Sequence, residues 1–223
     1  MVPHLSLSVI VTTIEPWPDL SHILDVLHPQ VTAFGGEIIV AASDLAAPDE
    51  RVVVNTPRVR WLRQRDATIP WLRAWAVEIA HGEIIATTED DCIVADDWCA
   101  EIFRGFARYP LARAITGLTR DAEPDRFDVS PGLRPASRWS SVPARPSAGN
   151  TTLLNANIAY QRSVFPPVTV PTGWIERDLN PRLLREGGVV LHEGMIVDRV
   201  SRRGLPGRAV RLPTGLTLLE KYD

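Results

Sequence analysis

The chain has 223 residues, 45% of them hydrophobic, and a formal net charge of −3 at neutral pH. That length suits one large α/β domain with a full core, and the slight negative balance excludes a chain-wide attraction to nucleic acid or to an anionic membrane surface. Cys92 and Cys99 are too few for a disulfide framework and lack zinc-ligand spacing. No apolar run approaches the roughly 20 residues of a transmembrane segment and Met1 to His4 has no signal-peptide character, so a cytoplasmic protein is expected.

Leu5 to Thr13 is rich in β-branched residues and predicts the first strand, which Pro16 and Pro18 cannot continue. Leu20, Ile23, Leu24 and Leu27 recur at helical spacing until Pro29 and Gly35-Gly36 end the pattern. Glu37 to Ala42 predicts a second strand closing on Ser43-Asp44, and Arg58 to Leu62 a third. Thr68 to Ala80 predicts a helix with Pro70 in its first turn and Gly82 as its stop. Next comes the run Gly82 to Thr88, which reads as a buried strand and ends in Glu89-Asp90-Asp91. Strands alternating with helices imply a mostly parallel sheet, so the ends at Thr12-Thr13, Ser43-Asp44 and Glu89-Asp90-Asp91 should share one rim.

Asp96 to Tyr109 predicts another helix, with Trp98, Ile102, Phe103 and Phe106 as its core face, and Arg113 to Thr119 another strand. The proline-rich, polar stretch from Asp121 to Asn150 predicts a lid over the acceptor side, a binding loop or disorder. Order resumes at Thr151 to Tyr160. Glu176 and Asp178 then precede an Asn180-Pro181 helix start, with Gly187-Gly188 as its stop. Val189 to Leu191 and Met195 to Val197 predict two short closing strands. Beyond Asp198 the tail is basic, with Arg199, Arg202, Arg203, Arg208 and Arg211.

Three adjacent carboxylates repel one another, so Glu89-Asp90-Asp91 predicts either a solvated acidic turn or a place where a hard divalent cation sits among the oxygens. The Leu5 to Val11 strand, Glu37 to Val40, Gly82 to Ala86 with its acidic triplet, Asn157 with Tyr160 to Arg162, and Glu176 upstream of Arg182, Leu183 and Gly187 follow one another in a fixed order. That series, spanning about residues 5–198, resembles the family 2 glycosyltransferases. The resemblance implies a single GT-A domain, the nucleotide-diphospho-sugar transferase fold: α/β, with a mostly parallel Rossmann-like sheet flanked by helices. Residues 1–112 would form the nucleotide-sugar half, 113–198 the acceptor and catalytic half, and 199–223 a basic tail.

It implies an inverting, hexosyltransferase-like enzyme that moves a sugar from a nucleotide-diphosphate donor to an unknown acceptor hydroxyl, assisted by Mg²⁺ or Mn²⁺. Asp91, Glu89 and Asp198 are the candidate metal ligands. Thr12, Thr13, Glu15, Ser43, Asp44, Arg65, Arg73, Glu89 and Asp90 are the candidate donor contacts. Glu176 is the candidate general base with Asp178 in reserve. The chain departs from the family after its second strand, where Ala41-Ala42-Ser43-Asp44 stands in place of an Asp pair. Asp198-Arg199 stands where a metal-binding His is common, and His192 is read as a satisfied strand histidine. A nucleotidyltransferase and a catalytically silent sugar-nucleotide-binding protein stay open as alternatives, although a Gly-rich basic loop after the first strand is absent.

Overall fold

The computed structural model describes residues 6–14, 20–43, 52–56, 59–121, 127–128, 156–166 and 173–199. Their strands form one sheet, from β1 (Leu7–Thr13), β2 (Glu37–Ser43), β3 (Val52–Thr56), β4 (Val59–Gln64) and β5 (Ile84–Glu89) to β6 (Cys92–Val94), β7 (Ala114–Asp121), β8 (Phe127–Asp128), β9 (Ile158–Gln161) and β10 (Val189–Arg199). The spatial order is β3-β4-β2-β1-β5-β9-β7-β10-β6, with β8 beside β7. Its centre, β4-β2-β1-β5, is parallel throughout. β7 and β10 add a second parallel pair, and the other neighbours run antiparallel.

Side chains alternate across each strand, and that alternation divides the core in two. Leu7, Val9 and Val11 of β1, with Ile38, Val40, Ile84 and Ala86, face α1 (Ser21–Ala33) and α3 (Trp98–Arg108). Ile10, Ile39, Ala41 and Ile85 face α2 (Ile69–Ile79) and α4 (Asn180–Arg185) on the opposite side. The expected α/β sheet flanked by helices is therefore present.

Several local expectations are corrected. Helix α1 runs through Pro29 to Ala33. A proline inside a helix costs about 3 kcal/mol, but the buried row Leu20, Ile23, Leu24, Leu27 and Val31 carries the helix past it. Strand β3 was not expected; it pairs antiparallel with β4 at the sheet edge. The two short closing strands are one, β10, interrupted by a bulge: Thr116 pairs with Leu191 and Leu118 with Ile196, so His192 to Met195 loop out opposite Gly117. The helical path near Glu176 begins early, as a π-helical turn at Ile175–Leu179 that flows into α4. Asn180 is thus not an N-cap; its Oδ1 accepts the buried Tyr160 hydroxyl at 2.8 Å.

The β10 bulge fixes two residues. A Cβ on Gly117 would lie 1.8 Å from the Met195 carbonyl oxygen and 2.7 Å from Asn157 Nδ2. Asn157, fully buried, donates from Nδ2 to Leu118 O at 2.8 Å and Met195 O at 3.0 Å, and its Oδ1 accepts Trp98 Nε1–H at 2.9 Å. It ties β7, β10 and α3 together where the strands cannot pair directly. Gly117→Ala is expected to cost about 1–3 kcal/mol through overpacking against backbone, read as a lowered midpoint in thermal unfolding.

At the opposite end of the sheet, Glu37 accepts Ser8 Oγ at 2.8 Å, His81 N–H at 2.6 Å and Arg60 Nη1 at 3.1 Å. Burial alone would raise its pKa, but these donors overcome the desolvation and hold it below the ordinary carboxylate value of 4.5. Its contribution to stability is therefore present above the ordinary value and is lost as pH falls through the depressed one. Acid unfolding of Glu37→Gln should show a flatter limb in that window than the wild type, measured by denaturation midpoints from about pH 3 to about pH 5.5, about one unit either side of the carboxylate range.

Candidate active site

The sheet registers place several strand ends on one rim. Thr12 pairs with Ala41 on one side and Glu89 on the other, and Ser43 pairs with Gln64. The carboxyl ends of β1, β2, β4 and β5 thus lie side by side, as open α/β sheets arrange their binding crevices. Glu15 and Asp44, the next candidates along two of these ends, lie outside the described residues.

The acidic triplet is divided by its surroundings. Asp90 is 7% exposed; its N–H donates to Thr12 O at 3.3 Å and its Oδ2 accepts Thr13 Oγ1–H at 2.6 Å. Asp90 and Thr13 therefore fasten the end of β1 to the turn after β5. Asp91 is more accessible, with Arg199 Nε 3.9 Å from its Oδ2 and the Cys92 thiol donating to Oδ1 at 3.3 Å. Glu89 turns toward α2. Burial raises its pKa above the ordinary value, the Asp91 and Asp90 charges add to the rise, and Arg73 and Arg199 oppose it.

Arg73 joins this rim to the second acidic stretch. Pro70 in the first turn of α2 follows an extended Thr68, and the helix then buries every residue from Leu72 to Val77. Arg73 is among them, at 2% exposure, so the solvated helix arginine that is commoner in general is not what forms here. Its Nη2 donates to Glu89 Oε1 at 3.3 Å, and its Nη1 donates to Glu176 Oε1. The π-helical turn carries Glu176 to this position, whereas Asp178 is exposed. Two buried atoms of the pair, Arg73 Nε and Glu176 Oε2, have no hydrogen-bond partner, and neither do Thr12 Oγ1, Thr88 Oγ1 and Gln64 Oε1 near the strand ends. Orphaned buried polar atoms are uncommon, and the three near the strand ends, Thr12 Oγ1, Thr88 Oγ1 and Gln64 Oε1, mark a place where a ligand would supply partners.

Among the described residues, no three His, Cys, Asp or Glu side chains converge as a metal cage. Asp198 sits on β10 beside Ile93 of β6, and Glu89 is drawn to Arg73. A hard cation that takes most of its oxygens from a diphosphate and water needs only one or two protein carboxylates. Accessible Asp91 beside Glu89, in crowded negative charge that its arginines only partly offset, fits that need.

Arg65 lies just past β4 and, with Gln64, Asp66, Ala67, Thr68 and Trp71, lines an open cavity of about 160 Å³. Gln64 and Trp71 escaped the sequence reading; the signal available was the end of β4 on the same rim as Ser43. His192 is a satisfied histidine, with Nε2 2.7 Å from Glu101 Oε2. Burial pushes the Cys99 thiol up to about 12 and raises Cys92 as well, so neither is a poised nucleophile. The stretch from Asp121 to Asn150, expected as a lid or binding loop, and the arginines after Arg199 lie outside the described residues, apart from Asp121 and the short strand β8.

No helix among the described residues is long and apolar enough to cross a membrane. No protein-family model and no curated protein matches the chain. Solved structures do match it. S. aureus TarS 1–349 in complex with UDP-GlcNAc is 12% identical with a TM-score of 0.55, over 90% of this chain and 60% of that one. The mannosyltransferase PcManGT from Pyrobaculum calidifontis, in complex with GDP-Man and Mn²⁺, is 18% identical with a TM-score of 0.55, over 89% of this chain and 58% of that one. S. aureus TarS is 11% identical with a TM-score of 0.54, over 88% of this chain and 37% of that one. The chain spans at most about 60% of the length of these proteins. At such identities the likeness is one of fold alone, shared with TarS and PcManGT.

Proposed function

We propose that this chain is an inverting, metal-assisted glycosyltransferase that moves a sugar from a nucleotide-diphosphate donor to an acceptor hydroxyl. The observation that carries this reading is the meeting of Glu176 with Glu89 through Arg73, which brings a second carboxylate to the rim where the parallel strands end. The solved structures with nucleotide sugars, one of them also with Mn²⁺, support the substrate class and the metal.

Asp91, with Glu89, would hold the cation. When bound, a divalent ion neutralises the charge that gathers on a departing diphosphate. Thr12, Thr13, Ser43, Arg65 and Asp90 would belong to the donor side, with Asp90 and Thr13 setting the shape of the turn. Glu176 would act from the acceptor side as general base. As the acceptor oxygen bonds to the anomeric carbon, the bond to the diphosphate breaks and the hydroxyl proton passes to Glu176 Oε2.

Incubation of the purified chain with UDP-GlcNAc or GDP-Man tests this, with release of nucleoside diphosphate measured in Mn²⁺, Mg²⁺ or EDTA. Metal-stimulated release from at least one nucleotide sugar is the expected result. A donor that raises the unfolding temperature yet is never turned over would identify a silent sugar-nucleotide-binding protein instead. Absence of both release and binding across a panel of nucleotide sugars would overturn the reading.

A further inference from the structure

We infer that Arg73 is a positioning residue of the proposed reaction, a buried strut that holds Glu176 and Glu89 in fixed relation, and not a contact of the donor diphosphate; this rests on the transferase reading above. A phosphate-binding arginine offers its fork of N–H donors to the ligand. Arg73 has turned both Nη groups to the protein, Nη1 to Glu176 and Nη2 to Glu89, and its remaining donor, Nε, is buried away from solvent. At 2% exposure the guanidinium has little surface left for a ligand. Turning it toward a diphosphate would break an ion pair and leave a carboxylate uncompensated beside another of like charge.

The arrangement also selects which oxygen of Glu176 works. Oε1 is occupied by Arg73, whereas Oε2 is buried and unpartnered. A planar guanidinium holding one carboxylate oxygen fixes the rotation of the group, so the second oxygen keeps one direction for the acceptor hydroxyl. The same guanidinium holds Glu89, so the base carried by the π-helical turn is tied directly to the acidic end of β5. Arg73 touches neither substrate nor reacting atoms in this scheme and acts through Glu176.

Arg73→Lys keeps the charge, but a single ammonium cannot span both carboxylates in the same geometry. It should lower kcat by about 10- to 100-fold, the scale of a base misplaced by about an ångström, with donor KM within about threefold of wild type. In a Glu176→Gln background the same change should cost little more, because a strut has nothing left to position. A donor KM raised tenfold or more with near-normal kcat would make Arg73 a diphosphate contact and overturn the inference; full multiplication of the two losses would overturn it too. If the lysine variant fails to fold, arginine side-chain ¹⁵N spectra of the wild-type protein with Mg²⁺ and a turned-over donor decide. Restricted guanidinium signals without coupling to ³¹P support the strut, and through-hydrogen-bond coupling from Arg73 to phosphorus overturns it. A wild type that releases no nucleotide defeats the transferase reading, and the spectrum still reports whether Arg73 keeps its carboxylates.

Discussion

Glu176→Gln is expected to lower turnover by about two to four orders of magnitude while donor affinity stays within a few-fold, measured as single-turnover transfer and as titrated donor binding. The amide keeps the shape of the side chain and an oxygen for Arg73, and it loses the ability to take a proton. A general base acts on the transition state, so the loss belongs in kcat. Asp178→Asn is the control: the side chain is exposed, away from the Arg73 bridge, and its removal should leave turnover near the wild-type value. The reverse pattern would move the base to Asp178. Two active variants would make the π-helical turn an architectural element and send the search for the base elsewhere.

The parallel centre of the fold was legible because its strands announce themselves. Val9 to Val11, Ile38 to Val40 and Ile84 to Ala86 are buried on both faces, and strands of that kind read as continuous apolar runs. Glycine and proline at Gly35, Gly36, Pro70 and Gly82 punctuate them. Strand β3 was not legible. Its Val52 to Val54 run is short, it is flanked by prolines and charges, and its place comes from antiparallel pairing to β4, a tertiary choice that local propensity does not encode. The β10 bulge was misread for a related reason. His192, Glu193 and Gly194 break the apolar pattern, so the strand looked like two, and what carries it through is the register imposed by β7 together with Asn157 on the carbonyls of Leu118 and Met195.

Within the candidate site, residue types were easier to read than partners. The acidic triplet at the end of β5 and Glu176 stood out as carboxylates near an element boundary, where a core has no use for them. That Arg73 would be buried between them could not be seen in the sequence, because an arginine between Leu72 and Ala74 looks like any solvated helix position. Its burial follows from the packing of α2 against the sheet on one side and the π-helical turn on the other. Parts of the motif series that suggested the family are architecture here. Asn157 is a backbone clamp, Tyr160 is fully buried against Asn180, and Arg162 Nε donates to Gly82 O at 2.8 Å. Ordered motifs of this kind report the fold first and the chemistry only where side chains reach the rim.

Asp91→Asn is expected to remove the metal-dependent gain in donor affinity, weakening binding at least tenfold in Mn²⁺, which is about 1.4 kcal/mol. A hard cation is held by carboxylate charge, so the amide should be nearly as damaging as Asp91→Ala even though it preserves the volume. The folded protein gives little up in exchange. The contact of Asp91 with Arg199 is a loose, partly exposed pair at 3.9 Å, worth about 0–1 kcal/mol, so the variant should unfold near the wild-type temperature and its loss can be read as a site effect. Glu89→Gln should weaken the metal response less, because that carboxylate is shared with Arg73, and Asp198→Asn should weaken it least, because Asp198 stands on β10 opposite Ile93, two residues past Asp91. Titration of a nucleoside diphosphate with and without Mn²⁺ ranks the three. If Asp91→Asn kept the full metal response while Asp198→Asn lost it, the cation would sit between β6 and β10; if every variant kept it, the acidic triplet would be a solvated turn whose Asp90 does no more than fasten β1 to β5.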